Sequence, residues 1–183
     1  MTKEEILIAA EKMFKQFEQA CNGIDEKLFF EWPDGKWSVA DNMQHLVLST
    51  GTTTLAYKLP RFLVRWVGGK PNRASRSFDE VLAKYNKKLA DGGKASARYV
   101  PVRYAPRSGE MKLRKEILLA RWNKVTSAFI AAVKNKRTEE DLDNYLARHP
   151  LLGKITLREL CYFTIFHTEH HLTSINKRTQ SLQ

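Results

Sequence analysis

Cysteine and long apolar runs are both scarce in this chain of 183 residues. Its two cysteines, Cys21 and Cys161, are too few for a disulfide framework or a four-thiolate zinc site, and neither belongs to a Cys-x-x-Cys pair. No apolar run approaches the ~18 residues that a membrane-spanning helix requires. The apolar stretch at residues 6–10 is also too short for a secretory signal. We therefore expect a cytoplasmic protein whose two cysteines are thiols of the core.

Strand-like alternation, internal repeats and low-complexity segments are absent as well, whereas apolar residues recur at helical spacing along most of the chain. Three long amphipathic patterns follow capping-box signals that begin at Thr2, Ser38 and Thr156. A fourth long pattern spans about residues 110–134. Four amphipathic helices of this length predict a four-helix bundle, in which ligand and metal sites lie between facing helices.

Shorter elements complete the predicted fold. One short helix is expected after a capping signal at Ser77, and another from Thr138 through Leu146. Residues 92–109 are interrupted by glycine and proline, so we predict a long ordered connection there between the middle helices. The length suits a single domain over residues 1–183, and the predicted fold class is all-α, a four-helix bundle with additional short helices.

Acidic residues are too few to balance the basic ones: 31 Lys and Arg face 20 Asp and Glu, for a formal net charge of +11. Residues 58–124 carry 18 of the basic residues and 5 of the acidic ones, so the whole excess lies in the middle of the chain. This segment suits a solvated basic rim that attracts a small anion or, with its interleaved aromatic residues, a nucleic acid. No helix-turn-helix, zinc-finger or RNP signature supports nucleic-acid binding, so we favour the basic rim.

Three of the five histidines lie within the predicted last helix. His167 and His171 are four residues apart, so their imidazoles project from one helix face and can bind one divalent metal. His170 is rotated by about 100° from His171 and points elsewhere. His45, in the second long helix, is the natural third donor, whereas His149 is expected to be structural or exposed. A hydrogen-bonded pair in the core or at the surface is the alternative, and the absence of His-Glu-x-x-His argues against zincin-type proteolysis.

Two motifs give the sequence a family resemblance. The residues that carry it are Trp37, Ser38, His45 and Leu46 in the second long helix and its entry, and His167, His170 and His171 in the last helix. Together they resemble the W-S-x-x-x-x-x-x-H-L and H-x-x-H-H motifs of the DinB-like superfamily, also called the YfiT-like metal-dependent hydrolases. Helix number and length agree, so the resemblance covers essentially the whole chain.

The resemblance implies a divalent metal centre with His45, His167 and His171 at the three ligand positions of the family. The ion would be nickel, zinc, iron or manganese, with coordination positions left open for water or substrate. The resemblance also implies a homodimer. Some relatives transfer low-molecular-weight thiols such as bacillithiol, which adds thiol S-transfer to hydrolysis as an expected reaction.

The first functional hypothesis is therefore a metal-dependent hydrolase or thiol S-transferase. Three neutral imidazoles leave the ion its full positive charge, which lowers the pKa of bound water towards ~7. The substrate would be a small molecule, anionic or thiol-bearing, and no catalytic residue is assigned. Of the basic residues, we expect Arg98 or Arg103 to reach the cavity, and Arg61 and Arg65 to lie too far away. The runner-up hypothesis is a non-catalytic basic helical protein that binds nucleic acid and has structural histidines.

Overall fold

The computed structural model describes residues 1–31, 35–94, 96–103 and 105–180. Within these ranges the chain forms eight α-helices, two short strands and two 3₁₀ turns. In chain order they are α1 (Lys3–Asn22), α2 (Glu26–Phe30), α3 (Val39–Lys58), α4 (Arg61–Gly68), α5 (Phe78–Ala90), the 3₁₀ turns Ala97–Tyr99 and Ser108–Glu110, α6 (Met111–Lys136), α7 (Glu139–Asn144), β1 (Leu146–His149), β2 (Gly153–Thr156) and α8 (Leu157–Gln180).

The four longest helices form the bundle that the sequence predicts. α1 and α3 each pack against both α6 and α8. In the core, the Trp122 ring of α6 lies 5.5 Å from that of Phe14 and 4.8 Å from that of Phe17. The Trp122 indole N–H donates to the Phe14 carbonyl at 3.2 Å, so the polar atom of this buried side chain is satisfied. Cys21 and Cys161 are buried free thiols, as expected.

Capping boxes begin three of the four long helices where the sequence predicts them. Reciprocal side-chain and backbone bonds join Ser38 with Asp41 at the start of α3, and Thr156 with Glu159 at the start of α8. Thr2 begins α1 in the same way. Each cap stabilises its helix by about 0.5–2 kcal/mol and satisfies backbone N–H groups that would otherwise lack an acceptor.

The region after α7 differs from the prediction. A helix was expected through Leu146, but α7 ends at Asn144 and an antiparallel hairpin of β1 and β2 follows. Each strand has only four residues, too few for an alternating pattern to be recognised. Gly153 adopts a φ of 74° in the turn. The Leu157 N–H donates to the Tyr145 carbonyl, which joins the hairpin to the first residue of α8.

Other helix boundaries agree closely with the prediction or have a simple cause. α6 runs over Met111–Lys136, near the expected residues 110–134. The second long pattern ends at Lys58 and restarts as α4 because Pro60 has no N–H to continue the helix. α2 was not predicted, since five residues are too few to show a helical period. None of the helices in the described ranges has both the length and the apolar character that crossing a membrane requires.

A buried carboxylate engages two arginines of the basic segment. The Glu159 side chain is fully buried and lies 2.5 Å from a guanidinium nitrogen of Arg73 and 3.4 Å from one of Arg76. Backbone N–H groups of Arg76 and Thr156 also donate to it. Burial raises the pKa of this carboxyl, but the hydrogen bonds outweigh burial and the pKa lies below its ordinary value. Arg73 and Arg76 therefore stabilise the fold at the start of α8.

Other cations of residues 58–124 are also engaged inside the molecule. Arg61 of α4 donates through two nitrogens to Asp141 of α7, with a shortest distance of 2.6 Å. Lys115 is buried and donates to two backbone carbonyls, one at the last residue of α1 and one just after it. Arg65 lies over the Tyr145 ring, 4.9 Å from its centroid. These cations of the basic segment thus join elements of the bundle.

Candidate metal centre

α3 and α8 bring three histidines together. The Nε2 atom of His167 lies 3.1 Å from Nε2 of His45 and 3.2 Å from Nε2 of His171. The three potential ligand atoms all lie within 4.8 Å of one another. The relative solvent exposure is only 4% for His45, 6% for His167 and 8% for His171. The convergence of these side chains, expected from the sequence, is therefore present.

Hydrogen bonds at the opposite ring nitrogens orient two of the three imidazoles. Nδ1 of His45 donates to the Tyr99 carbonyl at 2.7 Å, and Nδ1 of His171 donates to Oδ1 of Asn42 at 2.7 Å. The amide orientation of Asn42 is itself set, because its Nδ2 donates to the Ser38 carbonyl at 2.7 Å. In the neutral rings of His45 and His171 the proton is therefore on Nδ1, and Nε2 presents a lone pair.

The donor set fits a divalent cation. Nε2 of His45 and of His171 act as acceptors, and His167 has at most one Nε2 proton to share between them. Burial lowers the pKa of His45 and holds the pKa values of His167 and His171 well below the ordinary value, so the rings are neutral. Nitrogens bound at ~2.0–2.1 Å to one zinc ion lie roughly 3 to 3.5 Å apart, which matches the two shorter Nε2 distances.

Aromatic rings enclose the cluster. Trp37, from the entry to α3, stacks on His171 with an interplanar angle of 11°, and its ring centroid lies 5.0 Å from that of His45. Phe163 stacks on His167 one turn earlier in α8, with centroids 4.7 Å apart. These rings restrict the imidazole orientations and exclude solvent from one side of the cluster.

The roles of Asn42 and Tyr99 in orienting the imidazoles were not predicted from the sequence. Asn42 lies three residues before His45, so the two share a helix face, and that spacing was an available signal. Tyr99 belongs to the connection between α5 and α6 and has no local pattern that points to the histidines. Because the Tyr99 carbonyl contacts His45, this part of the connection lies against α3.

The remaining two described histidines lie outside the cluster. His170 is exposed, its ring centroid is 5.3 Å from that of His171, and partial desolvation by its surroundings lowers its pKa. His149 is half-buried in β1, where its Nδ1 accepts the backbone N–H groups of Leu151 and Leu152. Of the two expectations for His149, structural or exposed, these backbone contacts agree with a structural role.

A cavity of about 490 Å³ opens beside the histidine cluster. Its wall comes from α3, α5, α8, the hairpin and the connection after α5. The expectation that Arg98 or Arg103 reaches this cavity is wrong: among the described residues, Lys94 and Arg148 line it instead. Arg103 donates to the Gly35 carbonyl, which holds it elsewhere. The two arginines of α4 are also outside the wall, as expected.

The fold and this site define a class of protein, a helical bundle with three buried histidines from two helices beside a cavity. A sequence model of the DinB superfamily matches residues 9–175, so the chain belongs to the DinB superfamily, as the motifs predicted.

Among solved structures, the colibactin self-resistance protein ClbS, crystallised in complex with double-stranded DNA, is similar to this chain. The TM-score is 0.53 and the sequence identity 17%, over 96% of this chain and 94% of the ClbS chain. This likeness shows the shared fold alone. A search of curated proteins finds no match.

Proposed function

We propose that the chain is a metal-dependent enzyme in which His45, His167 and His171 hold one divalent ion. Its reaction is the activation of water or of a low-molecular-weight thiol, as a hydrolase or a thiol S-transferase. The observation that carries this proposal is the convergence of three buried Nε2 atoms beside a cavity. His167 has at most one Nε2 proton for the Nε2 lone pairs of His45 and His171, so at least one buried lone pair lacks a donor; this costs free energy, and a bound cation removes that cost.

The chain's own groups prepare the histidines for a ligand role. The Tyr99 carbonyl and the Asn42 amide each accept an Nδ1 proton, which directs the Nε2 lone pairs of His45 and His171 towards the centre of the cluster. Imidazole donors suit nickel, zinc and iron, and the family resemblance adds manganese. A divalent ion bound by three neutral imidazoles supplies an undiminished positive charge, which lowers the pKa of a bound water or thiol.

The cavity gives a small substrate room next to this centre. Its volume of about 490 Å³ lies within the range of sites for small organic molecules. Aromatic and aliphatic side chains from α5 and α8 form much of the wall, which limits the access of bulk water to the reacting groups. The geometry assigns no acid or base, so the catalytic residues stay unassigned.

Elemental analysis of protein purified without a histidine tag tests the proposal. We expect about one nickel, zinc, iron or manganese ion per chain, as three imidazole ligands require. The matched variants are His45→Ala, which removes a ligand, and His149→Ala, which removes a histidine outside the cluster. Native protein that holds no more metal than His45→Ala contradicts the proposal.

Nucleic-acid binding is the second candidate function. It is favoured by the net charge of +11 and by the similarity in fold to ClbS, which was crystallised with double-stranded DNA. Binding through phosphates weakens steeply with salt because condensed counterions are released. We expect little retention of double-stranded or single-stranded DNA at physiological salt, since Arg61, Arg73 and Arg76 have carboxylate partners within the fold. Tight binding with a steep salt dependence in a metal-free protein would favour this second function.

The family resemblance also supports a homodimer and a single domain over residues 1–183, and we further propose a cytoplasmic location. Phe62 and Trp66 of α4 are 70% and 83% exposed, which leaves apolar area available for contact with another chain. Light scattering coupled to size-exclusion chromatography measures the oligomeric state, and a monomer at micromolar concentration contradicts the dimer.

A further inference from the structure

The hairpin places His149 on the cavity side and the guanidinium of Arg148 on the other side. Successive side chains of a strand alternate between its two faces, so Leu146 and Arg148 share one face of β1. That face lies against α4, since the Arg148 Nε donates to the Val67 carbonyl at 3.2 Å. His149 therefore faces away from α4, and its ring centroid lies 4.1 Å from that of Phe163, a residue of the cavity wall.

His149 is an uncharged donor without a partner. Its Nδ1 accepts from the backbone N–H groups of Leu151 and Leu152 at 3.2 and 3.1 Å, so the proton of the ring is on Nε2. Burial lowers the pKa of His149 to about 4, which keeps the ring neutral at pH 7. In the part of the chain that the structure describes, no group accepts a hydrogen bond from this Nε2, and the atom is accessible to solvent.

Tyr85 of α5 is a second donor of this kind. Its ring packs on α8, with the centroid 5.6 Å from that of Phe163 and 6.2 Å from that of His167. Only 5% of the residue is exposed, yet its hydroxyl has no partner among the described residues and is accessible to solvent. Since Tyr85 belongs to the cavity wall, the space that this hydroxyl reaches is the cavity. Burial raises the pKa of Tyr85 to about 12, so the hydroxyl keeps its proton at pH 7.

The two donors lie on either side of one ring of the cavity wall. The rings of His149 and Tyr85 both pack against Phe163. Phe163 in turn stacks on His167, with an interplanar angle of 23° and centroids 4.7 Å apart. Both donors are therefore one aromatic ring away from the histidine cluster.

The remaining charges and hydroxyls of the wall do not compete with this pair. Hydroxyl groups of Ser49, Thr52 and Thr53 donate to carbonyls of their own helix at 3.2, 3.0 and 2.9 Å, so their protons are engaged. No Asp or Glu of the described residues lines the cavity, and Lys94 is an exposed residue. An unpaired donor beside apolar surface costs free energy, and an uncharged acceptor atom removes that cost.

We propose that the cavity binds a small uncharged molecule with an apolar body and a carbonyl or ether oxygen, and that the Tyr85 hydroxyl and the His149 Nε2–H donate to this oxygen. Apolar residues of the wall such as Leu89, Leu151 and Leu160 receive the body of the molecule. The inference rests on the proposed function for the reacting end, which faces the three histidines. Water or a thiol activated there then meets an uncharged reactant.

Equilibrium dialysis with two probes of the same shape tests this inference. The probes are 4-phenylbutan-2-one and 2-methyl-4-phenylbut-1-ene, in which a methylene group replaces the ketone oxygen. Each probe is dialysed against native protein and against the variants. The difference between the two probes in one protein measures the contribution of the oxygen alone.

Two variants remove one donor each and keep the surrounding contacts. Tyr85→Phe removes the hydroxyl and retains the ring that packs on α8. His149→Asn removes the Nε2 donor and leaves an amide oxygen near the position of Nδ1 as acceptor for Leu151 and Leu152. The matched control is Tyr162→Phe, which removes a hydroxyl from a buried tyrosine of α8 outside the cavity wall. All variants are first compared with native protein in thermal unfolding and metal content.

We expect native protein to bind the ketone about tenfold more tightly than the alkene, and Tyr85→Phe and His149→Asn each to lose about threefold to tenfold in ketone affinity alone. Tyr162→Phe should bind both probes as native protein does. The inference is overturned if native protein binds the two probes equally or binds neither, if neither variant loses ketone affinity, or if the control loses as much as Tyr85→Phe. A loss in only one variant refutes the role of the other donor. If Tyr85→Phe does not fold, His149→Asn is compared with the control by the same criteria.

The outcome is separable from that of the proposed function. A contribution of bound metal to ketone affinity is the same in native protein and in variants of equal metal content, so the comparison isolates Tyr85 and His149. Native protein without metal whose preference for the ketone depends on Tyr85 would refute the metal centre and support the donor pair. Native protein with metal and no such preference would do the reverse.

Discussion

The histidine cluster and the basic segment of residues 58–124 differ in whether residues that are close in sequence are also close in the structure. The cluster is dispersed in sequence, since His45 and His167 are 122 residues apart, yet their Nε2 atoms lie 3.1 Å from each other. The basic segment is dense in sequence, yet Arg73 and Lys115 contact different groups in different parts of the bundle. Helical spacing sets the direction of a side chain, whereas the partner of a charge depends on the element that packs opposite. The spacing of residues on a helix was thus a better guide to a functional site than the local density of charge.

The largest effect in this comparison is expected where the basic segment supports the fold. Glu159→Ala should lower the free energy of unfolding by about 3–5 kcal/mol, because it leaves Arg73 and Arg76 without their buried carboxylate. Denaturant unfolding measures the change. The control is Asp91→Ala, whose carboxylate pairs with Lys87 at the surface and should contribute ~0–1 kcal/mol. Equal losses in the two variants would show that the Glu159 network does not hold the start of α8.

Loss of a histidine should affect metal binding and leave the bundle intact. We expect His45→Ala and His171→Ala each to lower metal affinity at least about 100-fold, since a ligand contributes more than the groups that orient it. His170→Ala and His149→Ala should retain the metal. Inductively coupled plasma mass spectrometry after dialysis measures the content. Equal loss in His170→Ala and His171→Ala would mean that the wrong face of α8 was assigned to the metal.

Replacing the residue that orients His171 should lower metal affinity less than replacing a ligand. Asn42→Leu removes the acceptor of the Nδ1 proton, so we expect a loss of metal affinity of about tenfold to 100-fold with a folded protein. Competition with a chromogenic chelator gives the affinity. Gln44→Leu changes a side chain of the same helix turn outside the cluster and should leave the affinity unchanged. If Asn42→Leu binds metal as tightly as native protein does, Asn42 does not orient His171 for metal binding.

The smallest expected effect is on the pH dependence of stability. The hydrogen bond from Arg61 holds the pKa of Asp141 below its ordinary value of 3.8, although partial burial opposes this. Because the pKa is lower in the folded state, the pair stabilises the fold above pH 3.8, and the contribution is lost as the pH falls through the folded pKa. Asp141→Asn should therefore lose less stability than native protein between pH 7 and acid pH. Denaturant titrations at both pH values measure this loss, and Glu11→Gln is the control at an exposed position. If Asp141→Asn loses as much unfolding free energy on acidification as native protein does, the prediction is wrong.

Much of the fold was predictable because its signals are local. The capping boxes at Ser38 and Thr156 each involve residues three apart, and they mark where α3 and α8 begin. The hairpin was not predictable, since pairs such as Arg148 with Lys154 become visible only when both short strands are placed against α8. The same reason explains the error over Arg98, because the path of the connection decides which of its side chains face the cavity.

By itself, the sequence determined the helix starts and the shared face of His167 with His171, since both follow from the geometry of one turn of helix. It also indicated His45 as the third donor, because His45 lies on the second long helix and within a motif that resembles one of a known family. Tertiary structure alone decided that the Tyr99 carbonyl would orient His45 and that Lys94 and Arg148 would share one cavity. Tyr99 and His45 are 54 residues apart in sequence, and packing between elements, rather than local preference, brings such distant segments together.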